Sequence, residues 1–289
     1  MNIILGIISA FFYSVADSFW KKSVEISTLP KPLFNIFWPA TWLIIIYIII
    51  IFSWMNIEIF FDYKIIWIII LIASLNFVLS NIEMWIYKRV KLSNLLPYSN
   101  LDKIFVVIIW FIVFYWTKNS TSLTSFLITL FTIFIIIIFS VDLKKLTLSK
   151  DILKFFFTRF LSAVNNLLIW YILIKYTTID YISLDVIAFL WINILFAFLA
   201  KNNFIELLKQ KKGFYKYRFW ATIIGWIWFI IWLYIVQTSG ILIATLLSFI
   251  SLVFSIFSMK IILWDSPTKK QIILAFIVML LIWIWYYFK

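Results

Sequence analysis

The sequence predicts an all-α polytopic membrane protein: ten transmembrane helices arranged as two inverted five-helix repeats. Three observations predict it. Of the 289 residues, 65% are hydrophobic and 22% aromatic, whereas a soluble domain is nearer half apolar. The apolar residues gather into ten runs, each close to the roughly 20 residues that carry a helix across a hydrocarbon core. The basic residues alternate between heavy and light connections in step with those runs. Period-2 alternation is absent, which argues against a membrane β-barrel. Only helices satisfy every backbone group within one span.

In chain order the runs cover residues 3–21, 33–53, 65–87, 92–116, 122–141, 154–174, 182–200, 217–237, 240–263 and 271–288. The first opens "MNIILGIISAFFYSVADSFWKK". It lacks the charged leading region of a signal peptide and reads as a retained span. Asp17 and Lys21, four residues apart near its end, form a candidate structural pair. In the third run, "NFVLSNIE" places Asn76, Ser80 and Glu83 on one helical face. The fourth contains "NLLPYSNLDKIF" (94–105), the most polar stretch inside any run. The sixth contains Asn165 and Asn166. The ninth has Thr245, Ser248, Ser251 and Ser255 on one stripe, small residues of the kind that let membrane helices approach closely.

The cations set an orientation. Twenty of the 25 Lys and Arg fall in or beside the odd-numbered connections. Lys64, Lys118, Lys175 and Lys289 mark the even ones and the tail, and Lys103, deep within the fourth run, is the one left over. Basic residues mark cytoplasmic loops. The odd connections are therefore expected in the cytoplasm and both termini outside, in a multi-pass protein of the cytoplasmic membrane. The formal charge of +13 belongs to those loops, and no nucleic-acid partner is expected.

The polar linker "VDLKKLTLSKD" (141–151) divides five runs from five, giving repeats at 1–145 and 146–289. "LSNLLPYSNL" in the fourth run aligns with "IATLLSFISL" in the ninth at an offset of 151. Odd numbers of spans per half invert the second copy, an arrangement common among secondary carriers, whose sites lie near the midplane.

Several chemistries are excluded as usually built. With no cysteine and no histidine, there is no thiolate and no imidazole ligand or proton shuttle. Four dispersed glycines write no phosphate-binding loop. No metal or cofactor is expected, and the chain is read as no enzyme. A membrane enzyme or flippase acting on a lipid-linked substrate, or a scaffold protein, stand as alternatives.

Three stretches resemble the ten-helix EamA-like carriers of the drug/metabolite transporter superfamily. "SFWKKS" places Lys21 and Lys22 where such chains end the first span with Lys. "NLLPYSNL" places Pro97 at a fourth-span proline. "LWDSPTKKQII" resembles the acidic turn that joins the last two spans, at Asp265, Thr268 and Gln271. The chain departs from the pattern in its few glycines and its reversed charge bias. The resemblance implies secondary transport of a small metabolite or drug-like solute by alternating access, by a monomer or homodimer.

The candidate site follows from depth. At 1.5 Å per residue, Asp102 and Lys103 lie roughly 15 Å into the fourth run, near the bilayer centre. Ions there cost roughly 2.5–3.5 kcal/mol and persist facing a bundle interior or a wet cavity. Neighbouring residues do not face each other, so each needs a partner elsewhere: Asn76, Asn81 or Glu83 on the third run, or Asn165 or Asn166 on the sixth. Pro97 bends or opens the helix, and Ser99 and Asn100 follow it within a turn. Asp102 and Glu83 are the candidate proton-coupling carboxylates. The expected site is thus Asn76, Glu83, Pro97, Ser99, Asn100, Asp102, Lys103, Asn165 and Asn166.

Overall fold

A computed structural model describes residues 2–52, 57–90, 95, 98, 101–114, 131, 150–265, 268, 269, 272, 273, 276, 277, 279 and 280. The described elements are helical: α1 (Asn2–Ile26), α2 (Lys31–Phe52), α3 (Tyr63–Tyr87), α4 (Leu101–Phe114), α5 (Lys150–Leu173), α6 (Thr178–Leu199), α7 (Lys212–Ser239), α8 (Ile241–Ser248) and α9 (Ser251–Ser258). Short 3-10 turns at Ile57–Phe61 and Phe204–Leu208 and a π turn at Met259–Leu263 join or end them.

Local chemistry sets the helix ends. Asp62 caps α3, its carboxylate accepting from Ile65 N–H at 3.3 Å. Thr177 and Asp180 form a reciprocal capping box at the start of α6: Asp180 N–H donates to Thr177 Oγ1, and Thr177 N–H donates to Asp180 Oδ2. Such a box satisfies two otherwise orphaned backbone donors. Gly240 ends α7 and starts α8 at φ +83°, backbone that a side chain rarely tolerates.

The ten-span, two-repeat expectation is corrected here. Among the described residues, six helices are long and apolar enough to cross a membrane: Ile3–Ile26, Tyr63–Tyr87, Leu153–Leu173, Thr178–Leu199, Lys212–Ser239 and Ile241–Leu263. An apolar run measures composition, and composition does not fix helix length. Of the fourth run, 92–116, the described residues give α4, Leu101–Phe114. The ninth run is one of those six, turned at Phe249 and Ile250 between α8 and α9 and ending in the π turn. The runs at 122–141 and 271–288 fall almost wholly outside the described residues.

The surface is apolar, and charged and polar side chains lie buried among the apolar residues of the core. Ile4, Phe11, Trp67, Ile112, Trp191 and Phe198 are exposed. Lys21, Lys103, Arg159, Asn165, Asp185, Asn193 and Arg218 are buried. That inversion suits lipid as the surrounding solvent, because ionisable groups inside a membrane face the bundle. α1 is the central helix. Gly225 of α7 lets Ala16 and the Trp38 indole approach, Tyr13 packs on Trp228, and Gly6 abuts Leu247 of α8. α3 packs on α5 and α6, α4 on α5, and α2 on α6.

The bundle has a basic end. Lys31 lies in the field of Lys88, Lys154 and Arg89, while Lys154 and Arg89 each sit 3.9 Å from the Trp85 ring. Gln210 ties the α6–α7 connection to the α1–α2 connection through Thr28. At the other end Asp62 accepts from Lys175 at 2.7 Å and from Tyr176 at 3.0 Å.

Candidate functional site

A cavity of about 350 Å³ lies inside the bundle, and every described α-helix contributes to its wall. Its ionisable lining is Asp17, Glu83, Asp102 and Asp185 with Lys103, Arg159 and Arg218. Tyr13, Trp38, Trp228, Phe229 and Trp232 form an aromatic wall, and Ser9, Thr245, Ser248 and Ser251 add hydroxyls.

Six of the sequence-predicted residues meet here: Asn76, Glu83, Asp102, Lys103, Asn165 and Asn166 all line this one cavity. Asn165 donates to Asn76 Oδ1 at 2.9 Å, joining α5 to α3. Pro97, Ser99 and Asn100 lie outside the described residues.

The partners differ from those the sequence suggested. Lys103 donates to Ser248 O at 2.8 Å and Ser251 Oγ at 3.1 Å, on the ninth run. The reason is a break between α8 and α9. Around it, Phe249, Ile250, Leu252 and Val253 donate to carbonyls three residues back instead of four. That tightening leaves carbonyls in need of other donors, and Lys103 serves Ser248. Ser14 Oγ lies 2.7 Å from Ser251 O, the carbonyl of the first residue of α9. The hydroxyl stripe of the ninth run thus faces α1, where Ser18 meets Ser258 at 2.9 Å and Ser255 donates to Ser14 at 3.1 Å.

Glu83 pairs with Arg159 of α5. Asp17 accepts from Tyr87 OH at 3.2 Å instead of pairing with Lys21. Lys21 turns to Glu25, 3.4 Å away, and to the Tyr87 and Val90 carbonyls that end α3. Asn35 donates to Ser80 Oγ at 2.7 Å, completing the α2–α3 wall.

Four charged residues of this site were missed by sequence reasoning: Asp17 as a lining group, Arg159, Asp185 and Arg218. Both arginines lie inside their runs, 154–174 and 217–237, and were read with the loop cations because they stand near the starts. The helices start at Lys150 and Lys212, so both side chains project from within a helix. Their position inside a run was the signal that could have found them.

The bundle and cavity define a class: a multi-span all-α membrane protein whose ionisable groups converge on an internal cavity. No family model matches the chain, and no curated protein matches it, so the class rests on the fold and the cavity.

Proposed function

We propose that the protein is a secondary carrier that moves a small polar solute across the cytoplasmic membrane by alternating access around the central cavity. One observation carries this reading: an apolar-surfaced bundle in which all nine described α-helices direct side chains, seven of them ionisable, onto one 350 Å³ space. Placing ions at membrane depth is expensive, and a solute pathway is their commonest use. A cavity of that volume accommodates a metabolite-sized molecule. The break between α8 and α9 exposes main-chain carbonyls to that space, as broken helices do in carriers. The stretches around Lys21 and Asp265 that resemble drug/metabolite carriers favour the same activity.

The reading makes the protein a carrier and not a catalyst, with the basic end in the cytoplasm. Proton coupling falls to Asp102, because Glu83 is committed to Arg159 while Asp102 Oδ1 is buried without a hydrogen-bond partner. The test is solute counterflow into liposomes containing the purified protein, across a panel of metabolites. Exchange of at least one solute is expected, with its pH dependence lost in Asp102→Asn. Folded protein that exchanges none of them overturns the proposal, and conversion of a lipid-linked substrate in the same vesicles would replace it with an enzyme.

A further inference from the structure

We infer that Arg218 is an oxoanion-binding group, the point at which a carboxylate or phosphate on the entering molecule is held. The inference rests on the carrier reading for its claim that the cavity receives a solute. Arg218 is the seventh residue of α7 and only 3% exposed. Its guanidinium lies 4.3 Å from the Phe34 ring, and Nη2 reaches Phe34 O at 3.4 Å. That is long for a charged donor, whose bonds usually fall near 2.7–2.9 Å. Nε and Nη1 are buried with no hydrogen-bond partner.

No carboxylate among the described residues forms a salt bridge with this charge. The carboxylates that do pair include Glu25 with Lys21 and Lys22, Glu83 with Arg159, and Asp62 with Lys175. Arg159 is the informative contrast, since it lines the same cavity and has its acid. A buried lysine or carboxylate can neutralise itself by moving a proton, but a guanidinium cannot. An uncompensated buried ion is among the most destabilising features a fold can carry. A cation retained in that condition on a cavity wall is matched to an anion that arrives.

The surroundings have room for one. Arg218, Ala221 and Gly225 follow at i, i+3 and i+7 on one face of α7, and all three line the cavity. The room is the cavity itself, about 350 Å³, which the Arg218 side chain lines. Phe34 is the fourth residue of α2, which starts at Lys31. Arg218 therefore sits toward the basic end, where Lys31, Lys88, Arg89 and Lys154 concentrate anions. The ring of Phe34 holds the guanidinium plane from one side, leaving its edges for oxygen acceptors.

A free solute or a lipid headgroup could supply the same oxygens, and one experiment separates them. Thermal unfolding of the detergent-purified protein is followed at constant ionic strength against inorganic phosphate, acetate, or phosphatidylglycerol in mixed micelles, for wild type, Arg218→Met and Arg218→Lys. A saturable rise in Tm is expected for wild type, because a ligand that binds only the native state stabilises it. In Arg218→Met the rise should vanish, with Tm in the absence of anion no lower than wild type. In Arg218→Lys the half-saturating concentration should rise at least tenfold. A rise with phosphate or acetate names a soluble solute; a rise with phosphatidylglycerol alone names a headgroup. No rise in wild type, or an equal response in Arg218→Lys where Arg218→Met does not fold, overturns the inference. Anion binding without counterflow of any solute removes the carrier reading and leaves this site standing. Counterflow that Arg218→Lys leaves unchanged does the reverse.

Discussion

The ammonium of Lys103 on α4 donates to the main-chain carbonyl of Ser248, 2.8 Å away, beside the point where α8 gives way to α9. Ser251 Oγ donates to the same carbonyl at 2.6 Å. A carbonyl at this depth cannot turn to water, so its donors stabilise the broken helix itself. Hydrogen bonds to charged groups contribute about 1.5–3 kcal/mol and neutral ones about 1 kcal/mol. Lys103→Met is therefore expected to lower unfolding stability by about 2 kcal/mol, and Ser251→Ala by roughly half that. Reversible unfolding in mixed micelles measures both, and equal losses would mean that the charge of Lys103 adds nothing.

The Glu83–Arg159 pair joins α3 to α5 across the cavity wall, with side chains 22% and 6% exposed. Removing one member of a buried pair leaves the other uncompensated, at a cost of about 3–5 kcal/mol, whereas replacing both together is far milder. Glu83→Gln and Arg159→Gln should each be strongly destabilising. The double variant should regain most of the loss, giving a large coupling energy in a double-mutant cycle. Additive losses would show that the two groups act independently.

These two contacts mark what was legible in the sequence. Lys103 and Glu83 stood out because a charge inside an apolar run has few explanations, and both reach the cavity. Their partners did not stand out. Arg159 stood among lysines at a run's edge, where a basic residue ordinarily extends its head toward water; here α5 starts earlier and turns it inward. Ser248 offers its main chain, which no residue type announces. Asp185 and Arg218 carried the same signal, a charge inside the runs 182–200 and 217–237, and were passed over because each lies near the start of its run. The span count was over-read because every apolar run was read as a span, whereas six helices among the described residues are long and apolar enough, the α8–α9 segment within Ile241–Leu263 being one of them.

At the end of the bundle away from the basic cluster, Asp62 caps α3 and binds Lys175 and Tyr176 beyond α5. The Lys175 hydrogen bond, helped by Tyr176 and Ile65 N–H, holds the Asp62 carboxyl down at about 2 against its ordinary 3.8. A depressed carboxyl contributes stability above its unfolded value and loses it as pH falls through the folded one. The α3–α5 tether should therefore weaken between about pH 4 and pH 2. The same bond raises Lys175 above its ordinary 10.5, so the alkaline loss should start only above that pH. Asp62→Asn should flatten the acid limb of a Tm-against-pH profile. An unchanged limb would assign the acid loss to other carboxylates.

Two glycines of α7 lead to opposite expectations for one substitution. A methyl at Gly225 would meet Trp38 Cζ3 at 2.9 Å and Cη2 at 3.1 Å, with Ala16 Cβ 3.6 Å behind it. The indole is itself held edge-on against Trp226, ring centres 5.9 Å apart, so it gives way only by turning into the cavity it lines. Overpacking of this kind costs about 1–3 kcal/mol. Replacing a helical glycine by alanine returns about 1 kcal/mol, so Gly225→Ala should be net destabilising by up to about 2 kcal/mol. At Gly213 the nearest atom to an added methyl is Ile26 Cδ1 at 3.9 Å, an ordinary contact. Gly213→Ala should therefore keep the helix gain and raise Tm. The cavity adds a second readout, because an indole displaced into it should slow counterflow of the larger solutes more than the smaller. If Gly225→Ala and Gly213→Ala shift Tm in the same upward direction, Trp38 is free to move and does not shape the wall.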